Sequence, residues 1–114
     1  AIRFTSAGTV GTDDTNVDYA LPESVNITKV YPNPFNPQVT VDYEINDKLY
    51  VSIFVADISG KIIKTIKQFQ GSKGVYRILW SGDNDHGENV SSGLYFLSIK
   101  AGNTIRTAKV LLLE

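Results

Sequence analysis

Residues Val39 to Ile45 read V-T-V-D-Y-E-I, with Val39, Val41, Tyr43 and Ile45 apolar and Thr40, Asp42 and Glu44 polar between them. A period of two puts the apolar set on one face of an extended chain and the polar set on the other. A helix cannot sort side chains that way, so this stretch commits the chain to half-buried strands. The alternation recurs in Leu49, Val51, Ile53 and Val55, in Tyr76, Ile78 and Trp80, and in Tyr95, Leu97 and Ile99. Turn signals punctuate these runs at Asn46-Asp47-Lys48, Ile58-Ser59-Gly60, Gly71 to Gly74 and Gly102-Asn103, a spacing typical of two-layer β folds.

The reading gives strands over 25–31, 38–45, 49–57, 61–70, 74–80, 94–101 and 104–113. Short strands with one apolar face each imply an all-β fold, a seven-stranded antiparallel immunoglobulin-like β-sandwich. Its inward set is Trp80, Tyr43, Ile53, Tyr95, Leu97, Ile99, Val110 and Leu112. Each large apolar group contributes roughly 1.5–3 kcal/mol when fully buried. The least strand-like segment is 61–69, where Ile62, Ile63, Ile66 and Phe69 fall at helix-like spacing. Its β-branched content and the flanking glycines favour a strand.

A chain of 114 residues suffices for one domain with one core. It has no cysteine, so packing alone holds the core, and disulfides, thiolate catalysis and cysteine-ligated metals are excluded. A net charge of -1 offers no basic field for nucleic acid or an anionic membrane. The longest apolar runs, such as Val110 to Leu113, are too short to span a bilayer. The chain starts at Ala1 and has no methionine, which reads as a piece cut from a longer precursor. Residues 1–24 mix Gly, Ser, Thr and Asp without a sustained period and read as a linker or tether. Ile2, Phe4 and Val10 leave open an additional strand there. The folded domain is assigned to 25–114.

Three of the four prolines fall in Tyr31-Pro32-Asn33-Pro34-Phe35-Asn36-Pro37. Proline fixes φ and donates no ladder hydrogen bond, and it drives the preceding residue out of the α region. Asparagine suits the intervening turns because its side chain bonds nearby backbone. The segment therefore reads as a rigid corner that carries the chain from one sheet to the other. Tyr31 and Phe35 would plug the end of the core.

This segment is followed by Val51-Ser52-Ile53-Phe54-Val55-Ala56-Asp57, Ser59-Gly60-Lys61 and Trp80-Ser81-Gly82-Asp83-Asn84. Ser92-Gly93-Leu94-Tyr95-Phe96 and a terminal Lys109-Val110-Leu111-Leu112-Leu113 come next. In this order the pieces resemble the C-terminal sorting domain of type IX secretion cargo proteins, in its type A form, from about Leu21 onward. The resemblance implies an immunoglobulin-like sandwich without catalysis, at the end of a large secreted protein. It implies type IX machinery, a sortase-like surface peptidase and the N-terminal cargo domains as partners. The route would be periplasm, then cell surface or exterior. The recognition motifs it carries over are Tyr31–Pro37, Gly93–Phe96 and Lys109–Leu113. One departure is Ser81, where many members have aspartate between the tryptophan and the glycine.

With Val110 and Leu112 inward, Leu111 and Leu113 face outward with Lys109. The same phasing leaves Tyr50, Phe54, Leu94 and Phe96 outside. If these strands share a sheet, Tyr50, Phe54, Phe96, Leu111 and Leu113 form a docking patch rimmed by charge. With the edge of the last strand, it would meet the secretion machinery, or else it would pack on the N-terminal tether or the cargo domain. A competing function is an immunoglobulin-like accessory module that grips carbohydrate or a neighbouring domain with Tyr50, Phe54 and Phe96.

Chemistry is sparse elsewhere. His86 is the only histidine and sits in a polar loop, so no Ser-His-Asp set can be built on it. Asp42 and Glu44 share a strand face roughly 6.5–7 Å apart, a separation better explained by a solvated face than by glycosidase chemistry. Asp83, Asp85 and Glu88, with Asn84 and Asn89, form a weak calcium candidate, since the glycine is misplaced for a calcium-binding helix–loop–helix. Gly71 to Gly74 has too few glycines for a phosphate loop and reads as a hairpin turn. No cofactor is expected.

Overall fold

The computed structural model describes residues 24–113. The expectation of a tether or extra strand before Val25 lies, except for Ser24, outside the described residues. The strands are β1 (Val25–Tyr31), β2 (Val39–Ile45), β3 (Leu49–Ala56), β4 (Ile62–Gly71), β5 (Gly74–Trp80), β6 (Gly93–Ala101) and β7 (Thr104–Leu112). They form a three-stranded sheet in the order β1-β2-β5 and a four-stranded sheet in the order β4-β3-β6-β7. Every strand pairing is antiparallel.

The two sheets share one core. All eight residues of the expected inward set are buried, joined by Val25, Phe35, Val39, Val41, Ile45, Val51, Val55, Ile78 and Ala101. Alternation delivers this directly: on β2, Val39, Val41, Tyr43 and Ile45 are buried and the residues between them half-exposed.

The chain changes sheets between β2 and β3, β4 and β5, and β5 and β6. Gly71 to Gly74 is thus a corner between sheets, not the hairpin turn expected from its glycines. Only Ser72 and Lys73 separate the two strands. A Cβ on Gly71 would lie 2.9 Å from Val51 Cγ2, so this approach of backbone to core needs glycine. Tyr76 fastens the corner by donating its hydroxyl to the Ser72 carbonyl at 2.6 Å. Tyr95 makes the same contact to Ser91, also at 2.6 Å, where the chain enters β6.

The ambiguous spacing in β4 has a physical cause. Its register against β3 slips twice, between Ile53 and Phe54 and between Val55 and Ala56. Each slip inserts a residue on β4 and stretches the inward period there from two to three. The inserted residues Ile63 and Ile66, and Phe69 opposite Val51, then pack on the core, while Val51, Ile53 and Val55 on β3 keep a period of two. The three-residue spacing that resembles a helix is the signature of a twice-bulged edge strand.

A bulge in β1 overturns one expectation. The β1–β2 register shifts between Ile27 and Lys29, which reverses the phase of the rest of the strand. Val30 packs on the core, and Tyr31 lies half-buried, its hydroxyl 3.3 Å from Asp42 Oδ2. Tyr31 therefore does not plug the core. It lies with Lys29 at 4.8 Å and Arg77 at 5.9 Å from its ring centroid.

Tyr43 is fully buried and stacks on Tyr76 with centroids 5.4 Å apart. Burial, with Tyr76 adding to it, pushes its phenol up from 10.0 to about 12. The neutral phenol is the form that folds. Its contribution to stability is intact below pH 10.0 and is lost as pH climbs towards about 12. Urea unfolding followed through that window will show wild type losing stability faster than Tyr43→Phe, with no difference at pH 8.

Candidate recognition site at one end of the sheets

The proline segment joins β1 to β2, which are neighbours in one sheet. It does not carry the chain across to the other sheet, as expected from its rigidity. Its middle leans onto the other sheet instead. Phe35 donates its backbone N–H to the Leu111 carbonyl at 2.9 Å and accepts from Leu113 N at 3.0 Å. This makes a parallel bridge to Leu112 at the edge of β7. The Asn33 side chain donates Nδ2–H to the Lys109 carbonyl at 2.9 Å and accepts from Leu111 N at 3.0 Å at Oδ1. Prolines at 32, 34 and 37 have no N–H to give, so a regular strand here is impossible. A side-chain amide at Asn33 and one backbone unit at Phe35 supply the missing pairs. Tyr31–Pro32, Asn33–Pro34 and Asn36–Pro37 are all cis.

Of this segment only Phe35 has a buried side chain; Pro32, Asn33, Pro34, Asn36 and Pro37 are exposed. The Phe35 ring lies 5.4 Å from Trp80 in a tilted pair, and Trp80 meets Tyr95 edge-on at 5.3 Å. Buried Trp80 donates its indole N–H to the Asp83 carbonyl at 2.9 Å, as a buried donor must. Tyr95 stands opposite Val110, Gly93 opposite Leu112, Leu94 opposite Leu111 and Phe96 opposite Lys109. All three sequence motifs therefore meet at one end of the sheets, around Trp80. Gly82 closes that end: it has φ +71, and a Cβ there would sit 3.3 Å from Leu112 Cδ2. Beside it, Ser81 Oγ accepts from Gln38 Nε2 at 3.2 Å.

The loop from Ser81 to Ser92 spends its carboxylates on itself and on β4. Asp83 pairs with Lys64 at 3.0 Å. Asp85 donates its N–H to the Ile63 carbonyl at 3.0 Å and accepts from Thr65 N at 2.9 Å. Glu88 accepts from Asn84 Nδ2 at 3.1 Å. Asn84 Oδ1 accepts from the backbone of His86 and Glu88. The three calcium candidates point to three different partners, and among the described residues no group of acids or histidine gathers for a metal. The cluster acts structurally: Asp85 closes the edge of β4 much as Asn33 closes that of β7. Sequence reasoning missed both caps, since Asn and Asp in loops announce turns and not which strand they reach.

β3, β6 and β7 lie side by side in one sheet, so the outward residues do share a face. Phe54 pairs with Ser98 and Ala56 with Phe96. Phe54, Leu94, Phe96 and Leu111 are half-buried there, and Leu113 is exposed. Tyr50, 56% exposed, sits at the other end, separated from Phe54 by Ser52 and Lys100. Ser98 is buried and shares a 2.9 Å hydrogen bond with Thr107.

The opposite sheet wears an ion pair, Arg77 Nε to Asp42 Oδ1 at 2.7 Å. The hydrogen bond from Arg77 holds the Asp42 carboxyl below the usual range, and Asp42 holds the Arg77 guanidinium above its own. The Asp42 carboxylate is thus committed to Arg77 on a face that carries both signs of charge. Among the described residues no helix is long and apolar enough to cross a membrane.

A family model described as "Secretion system C-terminal sorting domain" matches residues 29–113, and the chain belongs to that family. Two solved structures share the fold. Dimeric latent PorU from Porphyromonas gingivalis superposes with a TM-score of 0.66 at 17% identity, over 85% of this chain and 10% of that one. PorZ, a surface component of the type-IX secretion system of the same organism, gives 0.52 at 18% identity, over 75% and 11%. The chain thus spans about a tenth of either protein. No curated protein matches it.

Two substitutions test the closure of β7. Phe35→Ala will cost about 3–5 kcal/mol in urea unfolding, the range for truncating a buried aromatic ring. Asn33→Ala will cost about 1 kcal/mol and speed amide exchange at Leu111, while Leu113, held by the Phe35 carbonyl, keeps its protection.

Proposed function

We propose that this domain is a type A sorting signal that takes a larger N-terminal cargo through the type IX outer-membrane system. The observation that carries the reading is the meeting of Tyr31–Pro37, Gly93–Phe96 and Lys109–Leu113 around Trp80. A chain that acts by being recognised needs one rigid, composite feature. Here the terminal strand is held by a segment remote in sequence. The domain is non-enzymatic, and a sortase-like surface peptidase acts on the segment before the first strand. The route runs through the periplasm to the cell surface or exterior.

The sandwich is immunoglobulin-like. Supporting this are the sheet orders β1-β2-β5 and β4-β3-β6-β7 and the tyrosine corner of Tyr95 at the start of β6. Tyr50, Phe54, Phe96, Leu111 and Leu113 contribute to a docking face for the machinery. A carbohydrate platform is less favoured, because Phe54 and Phe96 lie half-buried and only Tyr50 of the proposed trio is open.

Fusing residues 1–114 to an inert periplasmic reporter in a type IX host tests the reading. Reporter will reach the surface or medium, and deleting Lys109–Leu113 will strand it in the periplasm. Retention of the intact fusion would sink the proposal.

A further inference from the structure

β3, β4, β6 and β7 contain no Asp or Glu, yet carry Lys64, Lys67, Lys100, Arg106 and Lys109. The chain as a whole has a net charge of -1, so the asymmetry belongs to this sheet. Lys64 is committed to Asp83 at the β4 edge, and Lys67 lies 4.7 Å from the centroid of the Phe69 ring, which packs on the core. Arg106 shares the phase of inward Ala108 and Val110. Lys100 and Lys109 are the charges that point outward, and among the described residues neither has an anionic partner. Lys109 stands beside Phe96, in a row that continues through Ala56 to Ile62. An apolar stripe on strands whose own charges are all cations is unlike a solvated sheet face, which mixes both signs as the β1-β2-β5 sheet does.

The edges beside this stripe are both closed in cis. Asn33 and Phe35 occupy β7 from Lys109 to Leu113. Asp85 occupies β4 at Ile63 and Thr65. Along these stretches, which flank the Lys109–Phe96–Ala56–Ile62 row, a partner cannot add a strand without displacing these bonds.

Building on the sorting reading, we infer that the secretion partner binds the outward face of this sheet, and not its edge, through an apolar protein surface carrying carboxylates opposite Lys100 and Lys109. Complementary charge orients the encounter, and a carboxylate placed on the sheet would repel the partner.

The test uses the full-length reporter fusion. Ser52→Glu and Thr107→Glu add carboxylates to the face; Ser52→Gln and Thr107→Gln add similar bulk without charge. Each Glu variant will lower export about tenfold or more, as like-charge contact in an interface does. The Gln variants will stay within about twofold of wild type. Asp85→Ala, which frees Thr65 N at the β4 edge, will leave export unchanged. Urea midpoints of all five variants establish folding. Normal export of both Glu variants overturns the inference, as does equal loss with Glu and Gln, or increased export with Asp85→Ala. None of these touches the sorting reading, which fails separately if deleting the whole domain leaves export intact.

Discussion

One residue, Phe35, ties the two sheets together at the end where the chain finishes. Its ring joins Trp80 in the core, and its backbone pairs with the edge of β7. These two attachments lie at right angles in purpose: one buries apolar area, the other satisfies polar groups that an edge strand leaves open. Because the ring is anchored, the backbone bonds are made in a fixed place; because the bonds are made, the ring cannot withdraw. The prolines on either side remove competing conformations of the segment. The last strand, β7, is thereby fixed by residues far away in sequence.

The same economy governs the other edge of the four-stranded sheet. β4 is bulged twice, carries Lys64 and Lys67, and has Asp85 laid along it. Bulges, edge charges and covering loops are the devices that prevent sheets from polymerising. On the sorting reading proposed above, a domain carried with a larger cargo gains from edges that do not pair at random. Specific contact is then left to a face, where side-chain identity can be read.

Much of this was legible in the sequence. Alternation and turn signals located the strands, with β4 assigned from its β-branched content, and the inward residues of β2, β3, β6 and β7 came directly from the period of two. What failed did so where period two fails. The bulge in β1 moved Tyr31 from the expected core plug to the solvent side. The bulges in β4 disguised a strand as a helix-like run. The path of the proline segment was misjudged for a different reason. Local rigidity shows that a segment is bent, but only strand pairing shows whether it returns to its own sheet. The reach of Asn33 to Lys109 and of Asp85 to β4 is a long-range fact with no local signal. The convergence of the three motifs on Trp80 was equally out of reach, since each motif looks self-contained along the chain.

The protein has a single tryptophan, and it sits between Phe35 and Tyr95 with its indole N–H bonded to the Asp83 carbonyl. Its fluorescence is therefore a built-in gauge of the corner. While Phe35 is seated, the indole is dry and its emission blue-shifted. If binding or cleavage lifts the proline segment off the last strand, water reaches the ring and the spectrum moves to the red. Undocking can thus be watched in real time, without a label.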